Sequence, residues 1–121
     1  MRIAFILCLF ALPAFAQDGI RTSDQLMDAA QMGQLLNGQQ IEFFDGSKSH
    51  YASDGTYYYT YTDDGPEWTG RFKVSDNSRV CVDFDNGSSR CDQFVISGDR
   101  VVLVTEDGLR FPVRNRTVYQ R

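Results

Sequence analysis

Between residues 68 and 91, apolar and polar side chains alternate along the chain in three short segments separated by turn residues. On the first segment Trp68 and Phe72 fall on one face, whereas Arg71 and Lys73 fall on the opposite face. A period of two predicts half-buried antiparallel strands. The residues expected to point inward together are Trp68, Phe72, Val74, Val80, Val82 and Phe84.

The turn after the second of these segments sets the pairing of the two strands around it. Asp-Asn-Gly at residues 85–87 is a strong hairpin signal, because Asn and Gly accept positive φ at little cost. A three-residue loop places Cys81 opposite Cys91 at a non-hydrogen-bonded position, within reach of a disulfide. A two-residue loop would set Val82 against Cys91 instead. The first register accounts for both cysteines and predicts a Cys81–Cys91 disulfide.

The spacing of apolar residues changes before these strands and predicts a helix over residues 22–37. Ser23 can serve as its N-cap, and Asp24 and Asp28 suit its positive end. The apolar side would comprise Leu26, Met27, Ala30, Leu35 and Leu36. Gly33 weakens the middle, so one helix or two short ones would end at residues 37–38.

The rest of the chain reads as short strands joined by tight polar turns. Strands are expected at residues 40–44, 47–53, 56–62, 100–105 and 109–114, with a short last strand at 118–119. Turn signals about every ten residues indicate an antiparallel barrel or sandwich. The tight turns favour a small up-and-down β-barrel of about eight strands, mainly β, with one N-terminal helix closing an end. The sandwich is the alternative.

The first sixteen residues have the pattern of a secretory signal peptide. Arg2 precedes an apolar run over residues 3–12, and Ala-Phe-Ala at residues 14–16 forms a cleavage site. Pro13 ends the run well short of the about 20 residues needed to span a membrane. We therefore expect a mature single domain over residues 17–121, periplasmic or secreted and without membrane contact after cleavage.

The cysteine count indicates the compartment of the protein, and its charge limits the partners that it could bind. Of the three cysteines, Cys8 would leave with the signal peptide, and the remaining pair suits an oxidising compartment. The chain has 12 basic and 16 acidic residues, and the loss of Arg2 makes the balance one charge more negative. This acidic balance argues against nucleic acid and anionic lipid as partners. We expect a monomer.

A run of tyrosines is the best candidate for a ligand-binding surface. Tyr57, Tyr59 and Tyr61 share one strand face, and Tyr58 lies on the other. With Trp68 they could form the aromatic wall of a groove, because tyrosine combines a flat apolar body with a polar tip. The alternative is ordinary sheet packing, in which tyrosine is a favoured strand residue.

Catalytic and metal chemistry find little support in the sequence. His50 is the only histidine, so a zinc site of usual composition is excluded, and an exposed or edge-strand position is expected. The acidic turns at residues 63–65 and 83–87 lack the spacing of a calcium-binding loop. Nucleotide-binding and common hydrolase motifs are absent. We predict no catalytic residues, metal or cofactor; a hydrolase using His50 is the alternative.

Several short motifs resemble those of a known group of proteins. They are Leu-Asn-Gly at 36–38, Asp-Gly-Thr-Tyr at 54–57, Thr-Gly-Arg-Phe-Lys-Val at 69–74, Val-Cys-Val at 80–82 and Arg-Cys at 90–91. Together they resemble small exported β-barrel proteins of Gram-negative bacteria whose function is not established. Phe72 stands where many of those proteins carry tryptophan. Some of them bear a dihydrodipicolinate reductase label, but this chain lacks the dinucleotide-binding glycine motif and the alternating β/α pattern.

These observations lead to two hypotheses on function. The first is a non-enzymatic binding or accessory module for an unidentified small molecule or protein. The second is an inhibitor of a secreted enzyme such as a lysozyme or protease. A pocket lined by Tyr57, Tyr59 or Trp68 would favour the first. A protruding basic or serine-rich loop without a cavity would favour the second.

Overall fold

Residues 19–119 fold as a closed antiparallel barrel of eight strands, β1 to β8, preceded by one short helix, α1. The structure is a computed structural model that describes residues 19–119. The helix is Ala29–Leu36, and the strands are Gln39–Phe43, Lys48–Tyr51, Thr56–Thr60, Glu67–Ser75, Arg79–Phe84, Ser89–Ser97, Arg100–Val104 and Arg110–Val118. The predicted fold class is confirmed, with the barrel realised rather than the sandwich. The predicted signal peptide lies outside the described residues.

Each strand pairs with its neighbour in sequence, and β8 pairs with β1 to close the barrel. The pairing of β8 with β1 shifts between Glu42 and Phe43. The separate last strand predicted at residues 118–119 is wrong, since β8 runs without interruption to Val118. Closure requires this length, because the end of β8 is the partner of the first residues of β1.

The hairpin of β5 and β6 has the predicted register. Cys81 lies opposite Cys91, the two are joined by a disulfide, and their Cα atoms are 4.0 Å apart. The Phe84 amide donates to the Ser88 carbonyl oxygen at 2.8 Å. Gly87 takes a φ of +89°, which supplies the left-handed residue that a three-residue hairpin loop requires. The disulfide therefore joins adjacent strands on the outer face of the barrel.

The barrel interior holds the core. Its buried apolar members are Met27, Met32, Leu36, Ile41, Phe43, Tyr51, Tyr57, Val80, Val82, Phe94 and Leu103. Phe72, Val74 and Phe84 pack against them, as predicted, while Arg71 and Lys73 are exposed. The prediction that Trp68 is a core residue is wrong, because its side chain is 45% exposed. Trp68 lies near the start of β4, at the rim of the barrel.

Helix α1 is half as long as the predicted segment. Its N-cap is Asp28, whose side chain accepts from the Gln31 amide at 2.8 Å, while Gln31 Oε1 accepts from the Asp28 amide at 3.0 Å. The prediction of Ser23 as N-cap is therefore wrong. The predicted end is confirmed, with Asn37 as C-cap and Gly38 at a φ of +70°.

Residues 19–28, which we call the N-terminal strap, lie along the outside of the barrel instead of forming helix. Gln25 exchanges two backbone hydrogen bonds with Ile96 of β6, at 2.8 and 3.0 Å. Ile20 covers an outer apolar cluster of Val95, Val102 and Val104. Asp24, expected at a helix N-terminus, forms an ion pair with Arg110 instead. These contacts outweigh the weak tendency of a short segment to form helix.

Helix α1 closes one end of the barrel, which we call the helix end. Met32 and Leu36 of α1 are fully buried against the core. Just before the helix, the Met27 amide donates to Ser78 Oγ at 2.6 Å, and the Ser78 amide donates to the Met27 carbonyl at 2.7 Å. The opposite end, which we call the open end, carries the turns at residues 44–47, 61–66, 85–88 and 105–109. No helix within residues 19–119 is long and apolar enough to cross a membrane.

Candidate functional site

A cavity of about 370 Å³ occupies the barrel interior at the open end. Its aromatic lining comes from β1, β2, β3, β8 and the residue after β3: Phe43, Tyr51, Tyr57, Tyr59, Tyr61 and Phe111. The alternation of each strand explains this concentration, because every second side chain of a barrel strand points inward. The result is a concave site with large flat apolar surfaces.

The predicted aromatic residues divide between the cavity and its surroundings. Tyr57, Tyr59 and Tyr61 line the cavity, and Tyr58 faces outward, opposite His50. Trp68 pairs with Tyr59 but does not line the cavity. The structure thus brings three of the four candidate aromatic residues together and leaves the fourth at the rim.

Tyr51 belongs to the same site, although the sequence did not single it out. It lies opposite Tyr57 across β2 and β3, with the ring centroids 5.2 Å apart. The predicted strand at 47–53, paired in register with the tyrosine run, would have indicated this position. The floor of the cavity is therefore formed by a pair of buried tyrosines.

The tyrosine hydroxyls at the floor are held in the neutral form. Burial raises the pKa of Tyr51 and of Tyr57 well above the usual tyrosine value. The Tyr57 hydroxyl and Ser49 Oγ are 3.0 Å apart and share a hydrogen bond. Partial burial also raises the pKa of Tyr59. These groups can donate or accept hydrogen bonds without bringing a charge into the cavity.

An ion pair lies in the wall of the cavity on β6. Arg90 and Asp92 are two residues apart and both line the cavity. Arg90 Nε and Nη2 each lie 2.8 Å from Asp92 Oδ2. The other carboxylate oxygen, Oδ1, is buried and has no well-formed hydrogen bond to a side chain within residues 19–119. Burial raises the pKa of Asp92, and the hydrogen bonds and charge of Arg90 oppose that rise.

Sequence reasoning missed this ion pair, although a signal for it was present. Charged residues in strands usually face solvent. Arg90 and Asp92, however, flank Cys91, which the disulfide register turns outward. Because side chains alternate along a strand, both neighbours of an outward cysteine must point inward. The register that was used to pair the cysteines therefore also implied two charges in the barrel interior.

Three further carboxylates line the cavity near its mouth: Asp45, Glu106 and Asp107. The hydroxyl and the amide of Ser47 donate to Asp45 Oδ1 at 2.6 and 2.9 Å and lower the pKa of that carboxyl. Glu106 Oε1 accepts from the Cys91 amide. Among the described residues that line the cavity, four carboxylates face one guanidinium.

The wall near Asp92 is open on the side of β7. Pairing between β6 and β7 begins at Gln93 and Val104, so the first residues of β6 have no partner on that strand. A second depression of about 370 Å³ lies there and shares Asp92, Thr105 and Glu106 with the cavity. Asp92 therefore lies between the interior of the barrel and its outer surface.

Large apolar side chains are exposed around the open end. Phe44, Tyr61, Trp68, Leu109 and Phe111 form this group, which we call the apolar rim. Each lies in a turn of the open end or within two residues of one. Tyr61, Leu109 and Phe111 also line the cavity, so the apolar rim continues its walls outward.

His50 lies on the outer side of the barrel, away from the cavity. It is only 8% exposed, and its ring lies 4.5 Å from that of Tyr119, measured between centroids. The prediction of an exposed or edge-strand histidine is wrong, because β2 has partners on both sides and Tyr119 covers the ring. Within residues 19–119, no group of three or more His, Cys, Asp or Glu side chains is placed to hold a metal ion.

Comparisons of the chain with models of protein families, with curated proteins and with solved structures gave no match. The resemblance to small exported barrel proteins stays a prediction from the motifs alone. Functional inference for this chain rests on the geometry of its own cavity.

Proposed function

We propose that this chain is a non-enzymatic binding module, exported to the periplasm or secreted, that takes a small molecule into the open end of its barrel. The observation that carries the proposal is the cavity itself: α1 closes one end of the barrel, and the other end opens to about 370 Å³. Small-molecule sites are typically concave, mainly apolar and furnished with a few polar groups, with volumes of about 300–1,000 Å³.

The lining supports binding more than catalysis. Tyr51, Tyr57 and Ser49 offer neutral hydrogen-bonding groups against broad aromatic surfaces. His50, the residue on which a hydrolase would depend, lies outside the cavity and stacks with Tyr119. Arg90 and Asp92 bring charge to the site, but they neutralise one another through a paired contact. Groups of this kind orient a ligand and leave it chemically unchanged.

Export is supported by the disulfide and by the predicted signal peptide. Disulfides persist in oxidising compartments and are rare in the reducing cytosol. Cys81 and Cys91 are bonded across neighbouring strands. Residues 1–16 have the pattern of a secretory signal.

The alternative is an inhibitor of a secreted enzyme. That hypothesis predicted a protruding basic or serine-rich loop and no cavity. The presence of the cavity favours the binding module. The feature that speaks for a protein partner is the apolar rim, since exposed apolar groups often mark contact surfaces.

The proposal is tested by screening a fragment library against the purified, oxidised protein labelled with nitrogen-15. Fragments that bind are expected to shift the backbone amide signals of residues whose side chains line the cavity, such as Ser49, Tyr57 and Leu103. Tyr59→Phe removes a hydroxyl from the cavity lining, whereas Tyr58→Phe removes one from the outer face of the same strand.

For fragments with a polar group, we expect Tyr59→Phe to weaken binding by about tenfold, the value of one hydrogen bond, and Tyr58→Phe to leave it unchanged. If the fragments shift only signals from the outer face or from the apolar rim, the cavity is not the binding site and the proposal fails.

A further inference from the structure

We infer that the ligand of this cavity is an organic cation, a protonated amine carried on an apolar body, whose N–H groups donate to Asp92. This inference rests on the proposed binding function and names the class of ligand. Three independent features of the described lining carry it: its charge, a buried acceptor atom and its aromatic surfaces.

The first feature is the balance of charge that faces the cavity. Among residues 19–119, the carboxylates that line it are Asp45, Asp92, Glu106 and Asp107, and the one cationic side chain is Arg90. Nε and Nη2 of Arg90 both contact Asp92 Oδ2, so this pair carries no net charge, and the other three carboxylates leave the lining negative. Charges of one sign around a concave surface with low-dielectric walls concentrate ions of the opposite sign. A positively charged ligand is therefore attracted and an anion is repelled.

The second feature is an acceptor atom in the wall of the cavity. Asp92 Oδ1 is buried and has no well-formed hydrogen bond to any side chain within residues 19–119, while the Glu106 backbone lies close enough to help lower the pKa of this carboxyl. A carboxylate oxygen has more than one lone pair, so Oδ1 can accept a hydrogen bond from a donor on a ligand. Since an ammonium group brings three donors and no acceptor, it suits this position better than a neutral hydroxyl does.

The third feature is the aromatic surface next to these carboxylates. Tyr51, Tyr57 and Tyr59 present rings to the cavity, and the faces of aromatic rings attract cations. Phe43, Leu103 and Phe111 supply the apolar contacts for the rest of the ligand. An amine with an aromatic or aliphatic body of a few carbon atoms would place its charge against the tyrosine rings and its body against the apolar side chains.

The test compares four probes that share a phenylethyl group by nuclear magnetic resonance titration of the oxidised protein. Phenethylammonium carries the charge and the N–H donors. Its N,N,N-trimethyl derivative carries the charge alone, n-propylbenzene carries neither, and 3-phenylpropionate carries the opposite charge. We expect phenethylammonium to bind at least about tenfold more tightly than any of the other three, because hydrogen bonds to charged groups are the strong ones.

Substitutions locate the contact. Asp92→Asn should weaken the binding of phenethylammonium by about tenfold or more and leave that of n-propylbenzene unchanged. Asp83→Asn is the matched control, since it removes one carboxylate from the outer face of the neighbouring strand β5. It should leave both affinities unchanged.

A second variant guards against a folding defect in Asp92→Asn. Glu106→Gln removes a charge from the cavity mouth and keeps an oxygen to accept from the Cys91 amide. We expect it to weaken the binding of phenethylammonium by about two- to fivefold, through loss of electrostatic attraction alone.

The outcomes separate this inference from the proposed function. If n-propylbenzene or the anion binds in the cavity as tightly as phenethylammonium, the cavity binds ligands but does not select cations, and the inference is overturned. Equal binding of the trimethyl derivative would refute the hydrogen bond to Asp92. If no probe shifts the signals of inward-facing residues, both the inference and the proposed function fail.

Discussion

Phe94 and Trp68 are both large aromatic residues on the inward face of the sheet, yet the barrel buries them very differently. Phe94 is fully buried on β6, with its ring edge-on to that of Tyr51 at 6.2 Å between centroids. Trp68 is 45% exposed at the rim. The cost of removing each side chain should follow this difference, because the cavity left in a closed interior cannot collapse.

We expect Phe94→Ala to lower the free energy of unfolding by about 3–5 kcal/mol. Trp68→Ala, as the matched control, should lower it by about 1 kcal/mol or less, since solvent already reaches that side chain. Urea denaturation of the two variants beside the parent protein measures both values. Equal losses would mean that the rim is packed as tightly as the core.

Alternation of side chains along a strand predicts which side of the sheet a residue faces, but not how far along the barrel it lies. The pattern placed Phe72 and Trp68 on one face correctly and could not tell that only Phe72 packs against the core. Arg90 and Asp92 escaped notice for a related reason: a charged residue usually faces solvent, and here an ion pair stabilises two charges inside. The position of a side chain along the barrel axis and its ion-pair partner both depend on the tertiary structure, which a local sequence pattern does not contain.

At the scale of elements, an ion pair joins the N-terminal strap to β8. Arg110 donates to both carboxylate oxygens of Asp24, at 2.6 and 3.0 Å, and also to the Gly19 carbonyl at 2.6 Å. The hydrogen bonds from Arg110 lower the pKa of Asp24. The folded state therefore holds Asp24 ionised more strongly than the unfolded chain does. This stabilisation is complete above the unfolded pKa and is lost as pH falls through the folded value.

Asp24→Asn should destabilise the protein by about 1–2 kcal/mol at pH 7, the value of hydrogen bonds to a charged group. The difference in free energy of unfolding between the variant and the parent protein should shrink as pH falls below about 3.9, the usual aspartate pKa. At low pH the parent protein protonates Asp24 and loses the same ion pair with Arg110. Urea denaturation at pH 7 and at pH 3 checks this, with Asp99→Asn, in an exposed turn, as control. A difference that grows at pH 3 would contradict the assignment.

The same strap explains why the helix was predicted too long. Residues 22–28 contain apolar and capping residues at helical spacing, so the pattern favoured helix from Ser23 onward. In the structure Gln25 pairs with Ile96 and Asp24 with Arg110, more than 70 residues away in each case. Such long-range partners are invisible to a local pattern. The end of the helix was predictable because Gly38, with its positive φ, is a local signal.

At the scale of the whole molecule, the barrel is closed by its first and last strands. Gln39 pairs with Val118 and Ile41 with Arg116, and the Tyr119 amide donates to the Gly38 carbonyl at 2.8 Å. The local hairpins could be predicted from their turns. This closing pair joins residues more than 70 positions apart, and only the expectation of a barrel implied it.

Truncation after Val113 should abolish cooperative folding, because it removes the partners of residues 39–42. A domain of this size has only about 5–15 kcal/mol of stability, too little to withstand opening of the interior to water. Thermal unfolding followed by circular dichroism tests this, with removal of residues 120–121 as the control. A truncated chain that still melts cooperatively would show that the pairs between residues 39–42 and the second half of β8 are not needed for folding.

The start of β6, which has no partner on β7, affects the tendency of the protein to aggregate. Every strand between residues 39 and 118 has a neighbour on each side, but the pairing of β6 with β7 begins only at Gln93, so the first residues of β6 have no partner on that side. An unpaired strand segment can recruit a strand from another molecule and seed fibrils. Glu106 occupies the Cys91 amide there and brings a negative charge to the segment. We therefore expect the Glu106 carboxylate to oppose the growth of an intermolecular β-sheet from this segment.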